Sequence, residues 1–173
     1  MPSITYAQHV MWEKKLEDPK TTPKDKVVAK EFLDADKAMG KYQDKSPGYI
    51  GAIIKEDDKL CILFHNKVQL WSIPTGGVGY REKDEDAVKR EMMEELGIEV
   101  EESHYTGFIK IQRPTKELFF RIYTVDKYSG TIANKEPHKH ARIRLISRFE
   151  LNNLIKMGTV GDTIIQPLNN HWI

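Results

Sequence analysis

Residues 76–98 read GGVGYREKDEDAVKREMMEELGI, and the order of residue types in them specifies a loop followed by a helix. Asp84, Glu85 and Asp86 suit a first helical turn, where the helix dipole favours negative charge, and Gly97 suits the end, where the backbone must turn left-handed. Between them AVKREMMEEL consists almost wholly of helix formers. On such a helix Glu91, Glu94 and Glu95 fall at i, i+3 and i+4, so three carboxylates project from one face, while Val88, Met92 and Leu96 form an apolar stripe. The spacing predicts one face that packs and one that chelates.

Carboxylates this close repel one another, and a helix gains nothing from adjacent acids unless something neutralises them. A divalent cation would do so. No cysteine or histidine lies within the segment, and ligation by oxygen alone points to Mg²⁺ or Mn²⁺ rather than Zn²⁺. A bare EMMEEL segment would read better as a solvated acidic face, but the glycine and glutamate upstream reverse that preference.

The fixed points Gly76, Glu82, Arg90, Glu91, Met92, Glu94, Glu95, Gly97 and Ile98 form one pattern with seven identities and two aliphatic positions. Chance agreement with it is below about one in a billion per starting residue at ordinary amino-acid frequencies. At these positions the chain resembles the Nudix hydrolases, which cleave nucleoside diphosphates linked to another group. The resemblance implies an α/β (α+β) fold, a mixed β-sheet sandwiched between helices, and covers roughly residues 48–165. It implies a catalytic role for Glu91, Glu94 and Arg90, and a metal held by Glu91, Glu94, Glu95 and a carbonyl of the Gly76 region. Glu82 becomes a carboxylate supporting the ligands from behind, and Arg90 holds the acidic cluster through paired hydrogen bonds.

Two departures from the family pattern stand out. Pro-Gly-Gly often precedes the box, whereas this chain reads Pro74, Thr75, Gly76. Many members also supply a glutamate from a loop before the final helix, often as a Glu-His pair. Here the stretch reads ANKEPHKHARIRLIS, with Lys139 and His140 near that place, and Glu136 is the nearest carboxylate and the candidate substitute. His138 and His140 have a spacing open to a soft metal, but a lysine-flanked pair in a turn is expected to be solvated.

The rest of the chain agrees with a single soluble enzyme domain carrying an extension. Its 173 residues, 39% hydrophobic and 31% charged with net charge +1, are an ordinary globular balance. Such a balance supports neither nonspecific nucleic-acid binding nor a polybasic membrane anchor. The one cysteine, Cys61, forms no internal disulfide and sits in the apolar run LCILF, which predicts a buried, inert thiol. The first residues, MPSITYAQHVMWEKK, lack the apolar core of a signal peptide, and no run approaches a membrane span. Cytoplasmic residence is the expectation.

Residues 1–46 read as a helical extension, with helices over 4–16 and 24–39 around DPKTTPKD, and residues 47–173 as the hydrolase domain. The extension could pack on its own domain, swap onto a partner subunit or contribute to a pocket. From Gly48 the pattern changes to strands: YIGAIIKEDDKLCILFHN as a hairpin around KEDDK, then QLWSIP, and Gly76 in the loop that enters the helix. HYTGFIKIQR, ELFFRIYTV and ARIRLIS follow as strands, then helices over 148–157 and 162–169. Strands, helix, strands and a closing helix fit a mixed sheet between helices.

The substrate is less legible, since the box reads a pyrophosphate and not what it carries. Pro114, sixteen residues after Ile98, has the spacing of the family's ADP-ribose pyrophosphatase branch, though Arg113 to Lys116 also reads as an ordinary hairpin connection. Lys116 stands where a tyrosine would suggest dinucleoside polyphosphates. Phe119, Phe120 and Tyr123 are candidates for base stacking, with Phe119 and Phe120 on opposite sheet faces, while Arg81 and Arg113 are candidates for phosphate contact. The leading expectation is Mg²⁺-dependent cleavage of a small ADP-ribose-like nucleotide. The alternatives are a nucleoside triphosphate pyrophosphohydrolase, RNA cap removal, which the near-neutral charge does not support, and a noncatalytic nucleotide sensor. A homodimer is expected from family analogy alone.

Overall fold

The computed structural model of the chain describes residues 6–38, 48–79, 81–114 and 117–173. They divide into two compact units, Met1–Pro47 with Val78–Lys83, and Gly48–Gly77 with Asp84–Ile173. In the first, α1 (Tyr6–Glu17) and α2 (Pro23–Ala38) lie within a residue or two of the expected spans; residues 4, 5 and 39 of those spans lie outside the described residues. Thr22 starts α2 as its cap: the Asp25 amide donates to Thr22 Oγ1 at 3.2 Å, and the Thr22 hydroxyl donates to Asp25 Oδ2 at 2.7 Å. Pro23 occupies the first helical position, where its missing N–H costs nothing. Trp12 stacks on Phe32 with ring centroids 5.0 Å apart, so the sparse apolar positions of the two helices meet each other.

The second unit contains β1 (Tyr49–Ile53), β2 (Lys55–Glu56), β3 (Lys59–His65), β4 (Leu70–Ser72), β5 (Thr75–Gly77), α3 (Asp84–Leu96), β6 (Glu99–Gln112), β7 (Glu117–Ser129), β8 (His140–Ile146), α4 (Arg148–Lys156) and α5 (Asp162–Asn169). These make two four-stranded sheets. One runs β5-β1-β7-β6, with β1 parallel to β7 and otherwise antiparallel; the other runs β2-β3-β4, with β8 on β3. The hairpin expected around KEDDK is shorter than the sequence suggests. β2 and β3 pair across Asp57 and Asp58, both at positive φ, as two-residue hairpin turns require. β1 instead lies between β5 and β7, because its almost wholly apolar run suits a central strand covered on both faces.

The core lies between the sheets, where Ile53, Ile62, Trp71, Ile109, Phe120 and Ile122 meet, closed by Leu151 of α4 and Ile164 of α5. The other face of the first sheet carries α3, packed on β1, β5 and β6. Its stripe of Val88, Met92 and Leu96 is fully buried, worth roughly 1.5–3 kcal/mol for each side chain. Two devices fix the helix ends. At the start, Arg121 of β7 grips Asp84, with Nη2 donating to Oδ1 at 2.8 Å, and the Tyr123 hydroxyl reaches the same carboxylate at 3.3 Å. At the end, Gly97 turns at φ +70° and its amide donates to the Met93 carbonyl, the left-handed stop that glycine takes without strain. Cys61 is buried, and burial pushes its thiol up to about 12, which keeps it protonated and inert. No helix among the described residues is long and apolar enough to cross a membrane.

Candidate active site

The approach to α3 differs from the expected loop. β4 stops at Ser72, the Pro74 carbonyl accepts the Ala52 amide at 2.9 Å, and the chain re-enters the first sheet as β5, with Gly76 opposite Ile50. Gly76 therefore sits in a strand directly against α3. A Cβ added there would overlap the Glu91 side chain, so this glycine is needed for close approach and not for a turn. Glu91 itself is buried.

Arg90 ties helix to strand. Its Nη1 donates to Glu91 Oε1 at 2.6 Å and lies 3.4 Å from Glu94 Oε2, while Nη2 donates to the Gly77 carbonyl at 2.8 Å. The three helix carboxylates nonetheless have different environments: Glu91 and Glu95 are buried, whereas the Glu94 side chain is 49% exposed. Within the Val78–Lys83 segment, Glu82 Oε2 accepts the Gly79 amide at 2.6 Å, and Arg81 is exposed at positive φ.

Glu95 has a second set of neighbours. The loop after β7 runs back along the end of α3, where the Ala133 and Lys135 amides donate to the Leu96 and Glu95 carbonyls at 3.0 Å, satisfying acceptors that a helix end leaves open. This anchoring brings Glu136 beside Glu95. A turn on the Glu136 carbonyl, which accepts the amides of Lys139 and His140, then delivers His140. Asn134 braces both, its Oδ1 accepting the Glu136 amide at 3.2 Å and its Nδ2 donating to the His140 carbonyl at 2.7 Å. One ligand atom each of Glu95, Glu136 and His140 lies within 4.8 Å of the others. His138 is exposed as expected, but His140 is buried. The solvated reading fails for His140, and with it the premise that no histidine reaches the acids.

The electrostatics of this group are strained without a cation. Burial first, then the Glu91 and Glu136 charges, pushes Glu95 up to about 8, and burial also raises Glu91. Burial, then the facing His65, brings His140 down to about 4, so its imidazole is neutral. Lys139 pairs with Glu136 Oε1 at 2.7 Å. Glu95 Oε2, Glu136 Oε2 and His140 Nδ1 are buried with no hydrogen-bond partner. Orphaned acceptors on neighbouring acids fit a bound divalent cation, which would satisfy them and restore the charged forms.

A stability prediction follows. Glu95 is raised from 4.5 to about 8, so its contribution to stability is complete below about 4.5 and is lost as pH rises through 8. His140 is lowered from 6.5 to about 4, so its contribution is present above 6.5 and is lost as pH falls. Between pH 6.5 and 8 the Glu95 effect is unopposed by His140. Metal-free protein should lose about 2 kcal/mol across that window, as read by denaturant melts in chelator. Saturating divalent cation should flatten the slope, and a metal-free slope of zero would show that Glu95 titrates as an ordinary acid.

The remaining candidates lie elsewhere on the first sheet. Arg113 is exposed at the end of β6, and Lys116 lies outside the described residues. Phe119 stacks on Phe108 with centroids 5.7 Å apart, while Phe120 stacks on Tyr49 and enters the core. The alternation that separates them puts Phe119 on the same face as Arg121 and Tyr123, the face that carries α3.

Residues 44–166 match the family model of the NUDIX domain. The chain belongs to the NUDIX family. It is accordingly a Nudix-type pyrophosphohydrolase acting on nucleoside diphosphate derivatives, small-molecule nucleotides as a class, and Nudix hydrolases generally use divalent metal ions. Solved structures of the same fold include a MutT NUDIX hydrolase from Burkholderia pseudomallei, 24% identical with TM-score 0.56 over 58% of this chain and 82% of that one. The E. coli ORF135 protein is 26% identical with TM-score 0.51, over 60% and 75% of the two chains. A MutT protein from Methanosarcina mazei Go1 is 19% identical with TM-score 0.56, over 66% and 84%. No curated protein matches the chain significantly. Within the Nudix frame, His140 is the residue beside the acids that the sequence does not single out. It follows Lys139 in a polar stretch, and its burial comes from the Glu136 turn and from His65, whose ring centroid lies 5.3 Å away.

Proposed function

We propose that this Nudix enzyme hydrolyses the diphosphate linkage of an ADP-ribose-like nucleoside diphosphate derivative with Mg²⁺ or Mn²⁺, in the cytoplasm. The observation that carries the catalytic reading is the pair of buried acids, Glu91 and Glu95, beside Gly76 on one side and Glu136 on the other, with one oxygen each of Glu95 and Glu136 left unsatisfied. Glu91, Glu94, Glu95, Glu136 and a carbonyl near Gly76 are the residues that hold the cation. When bound, it neutralises phosphate oxygens and lowers the pKa of an attacking water.

The chain's own residues do the rest. Arg90 fixes the Glu91 carboxylate against β5, so the acid is oriented before substrate arrives. Held in this way beside the site, Glu91 is the candidate to take the proton from water. Lys139 holds one oxygen of Glu136 and leaves the other directed to the site. Phe119, on the sheet face that carries α3, offers a stacking surface for a base, and Arg113 a cation for phosphate. The ADP-ribose preference is supported by the position of Pro114.

The test is product analysis of purified protein with Mg²⁺ on ADP-ribose, NADH, dinucleoside polyphosphates and nucleoside triphosphates. AMP and ribose phosphate from ADP-ribose are expected. Pyrophosphate released from a triphosphate would move the assignment to the triphosphate reading, and silence across the panel would favour a capped RNA or the sensor. Glu94→Gln should abolish metal-dependent turnover with the fold intact, because the Glu94 side chain is half exposed; turnover within a few fold of wild type would remove Glu94 from the metal site.

A further inference from the structure

Three elements converge on one buried point: Glu95 from α3, Glu136 from the loop after β7, and His140 from the first residue of β8. Glu95 and His140 are each only 3% exposed. The His140 Nε2 lies 3.7 Å from Glu95 Oε1, too far for a hydrogen bond. Each of the three side chains also carries a buried nitrogen or oxygen with no partner, and an unmade bond of that kind costs about 1–3 kcal/mol. The anchoring described above, through Ala133, Lys135 and Asn134, holds the loop so that one ligand atom of each side chain lies within 4.8 Å of the others. A purely structural histidine at this place would donate to one of the carboxylates, and none of the hydrogen bonds does so.

We propose that His140 is a nitrogen ligand which, with Glu95 and Glu136, makes a mixed nitrogen–oxygen cation site selective for a first-row transition ion such as Mn²⁺ over Mg²⁺. The inference rests on the reading above that these carboxylates hold a divalent cation, and it adds which donor sets the choice of ion. Mg²⁺ is satisfied by oxygen and keeps its waters, whereas imidazole strengthens binding of transition ions at little benefit to Mg²⁺.

The test uses the full chain with Mn²⁺, and with Mg²⁺ as the competing ion. Titration followed by electron paramagnetic resonance gives the affinity, and pulsed spin-echo modulation shows whether a nitrogen is bound directly. Wild-type protein should bind Mn²⁺ with the ¹⁴N modulation of a coordinated imidazole. His140→Asn should lose that modulation and reduce the Mn²⁺-over-Mg²⁺ affinity ratio about tenfold, whereas His65→Asn should keep the modulation. Should His140→Asn not fold, ¹⁵N-histidine labelling of the unaltered chain, with His65→Asn and His138→Asn as exclusions, makes the same assignment. Bound Mn²⁺ without nitrogen modulation would overturn the role of His140 and leave the carboxylate metal site standing. Failure to bind Mn²⁺ or Mg²⁺ at all would overturn both.

Discussion

Glu95→Gln should reduce turnover about 10²–10³-fold, the scale of removing one preorganised electrostatic partner from a reaction centre, while making the metal-free protein more stable at pH 8. The two effects have one origin. Glu95 is buried between the charges of Glu91 and Glu136, with one oxygen unpaired. Without a cation its ionised form is unfavourable, and a neutral amide of the same shape relieves the repulsion. With a cation the ionised form is the useful one, and glutamine cannot supply it. A glutamate kept there for packing would give the reverse pattern, with stability lost and activity nearly unchanged. Parallel measurements of kcat and of denaturant midpoint in chelator decide between them, since a lowered midpoint with nearly unchanged kcat would mean that Glu95 supports the fold and does not serve the reaction.

The contrast between Glu94 and Glu95 shows how far the sequence could be read. Periodicity placed both on α3, and the acidic first turn and Gly97 marked its ends within the observed bounds, because those features are local and the helix needs nothing distant to define them. Burial is different. Whether a glutamate at i+3 or i+4 faces solvent depends on what crosses the helix end, here a loop some forty residues further on. Glu136 could be singled out because a carboxylate was wanted and it was the nearest. The burial of His140 could not be foreseen, since it is set by a turn closing on the Glu136 carbonyl and by the β3–β8 pairing that brings His65 alongside. The same limit explains the hairpin: YIGAI is strand-like in any reading, but its preference for β7 over β3 is a property of the whole sheet.

Gly76→Ala should reduce activity by about 10²-fold and destabilise the protein by about 1–3 kcal/mol, although it adds a single methyl to a strand. The backbone of Gly76 has no unusual conformation that alanine would strain; the difficulty is space, because the new Cβ would occupy the position of the Glu91 side chain. Overpacking of this kind is costly in a close-packed region, and displacing an acid by about 1 Å is enough to lower turnover by that factor. Arg90 makes the displacement worse, since it bonds both Glu91 and the Gly77 carbonyl and cannot follow one without leaving the other. Adding Glu91→Asp to Gly76→Ala removes one methylene from the clash, so the double variant should regain much of the stability and none of the turnover. Melting midpoints and kcat for the two single variants and the double variant distinguish the cases. Recovery of turnover in the double variant would show that the position of the Glu91 carboxylate does not matter to the chemistry, and wild-type behaviour of Gly76→Ala would show that Glu91 moves aside freely and is not held against β5.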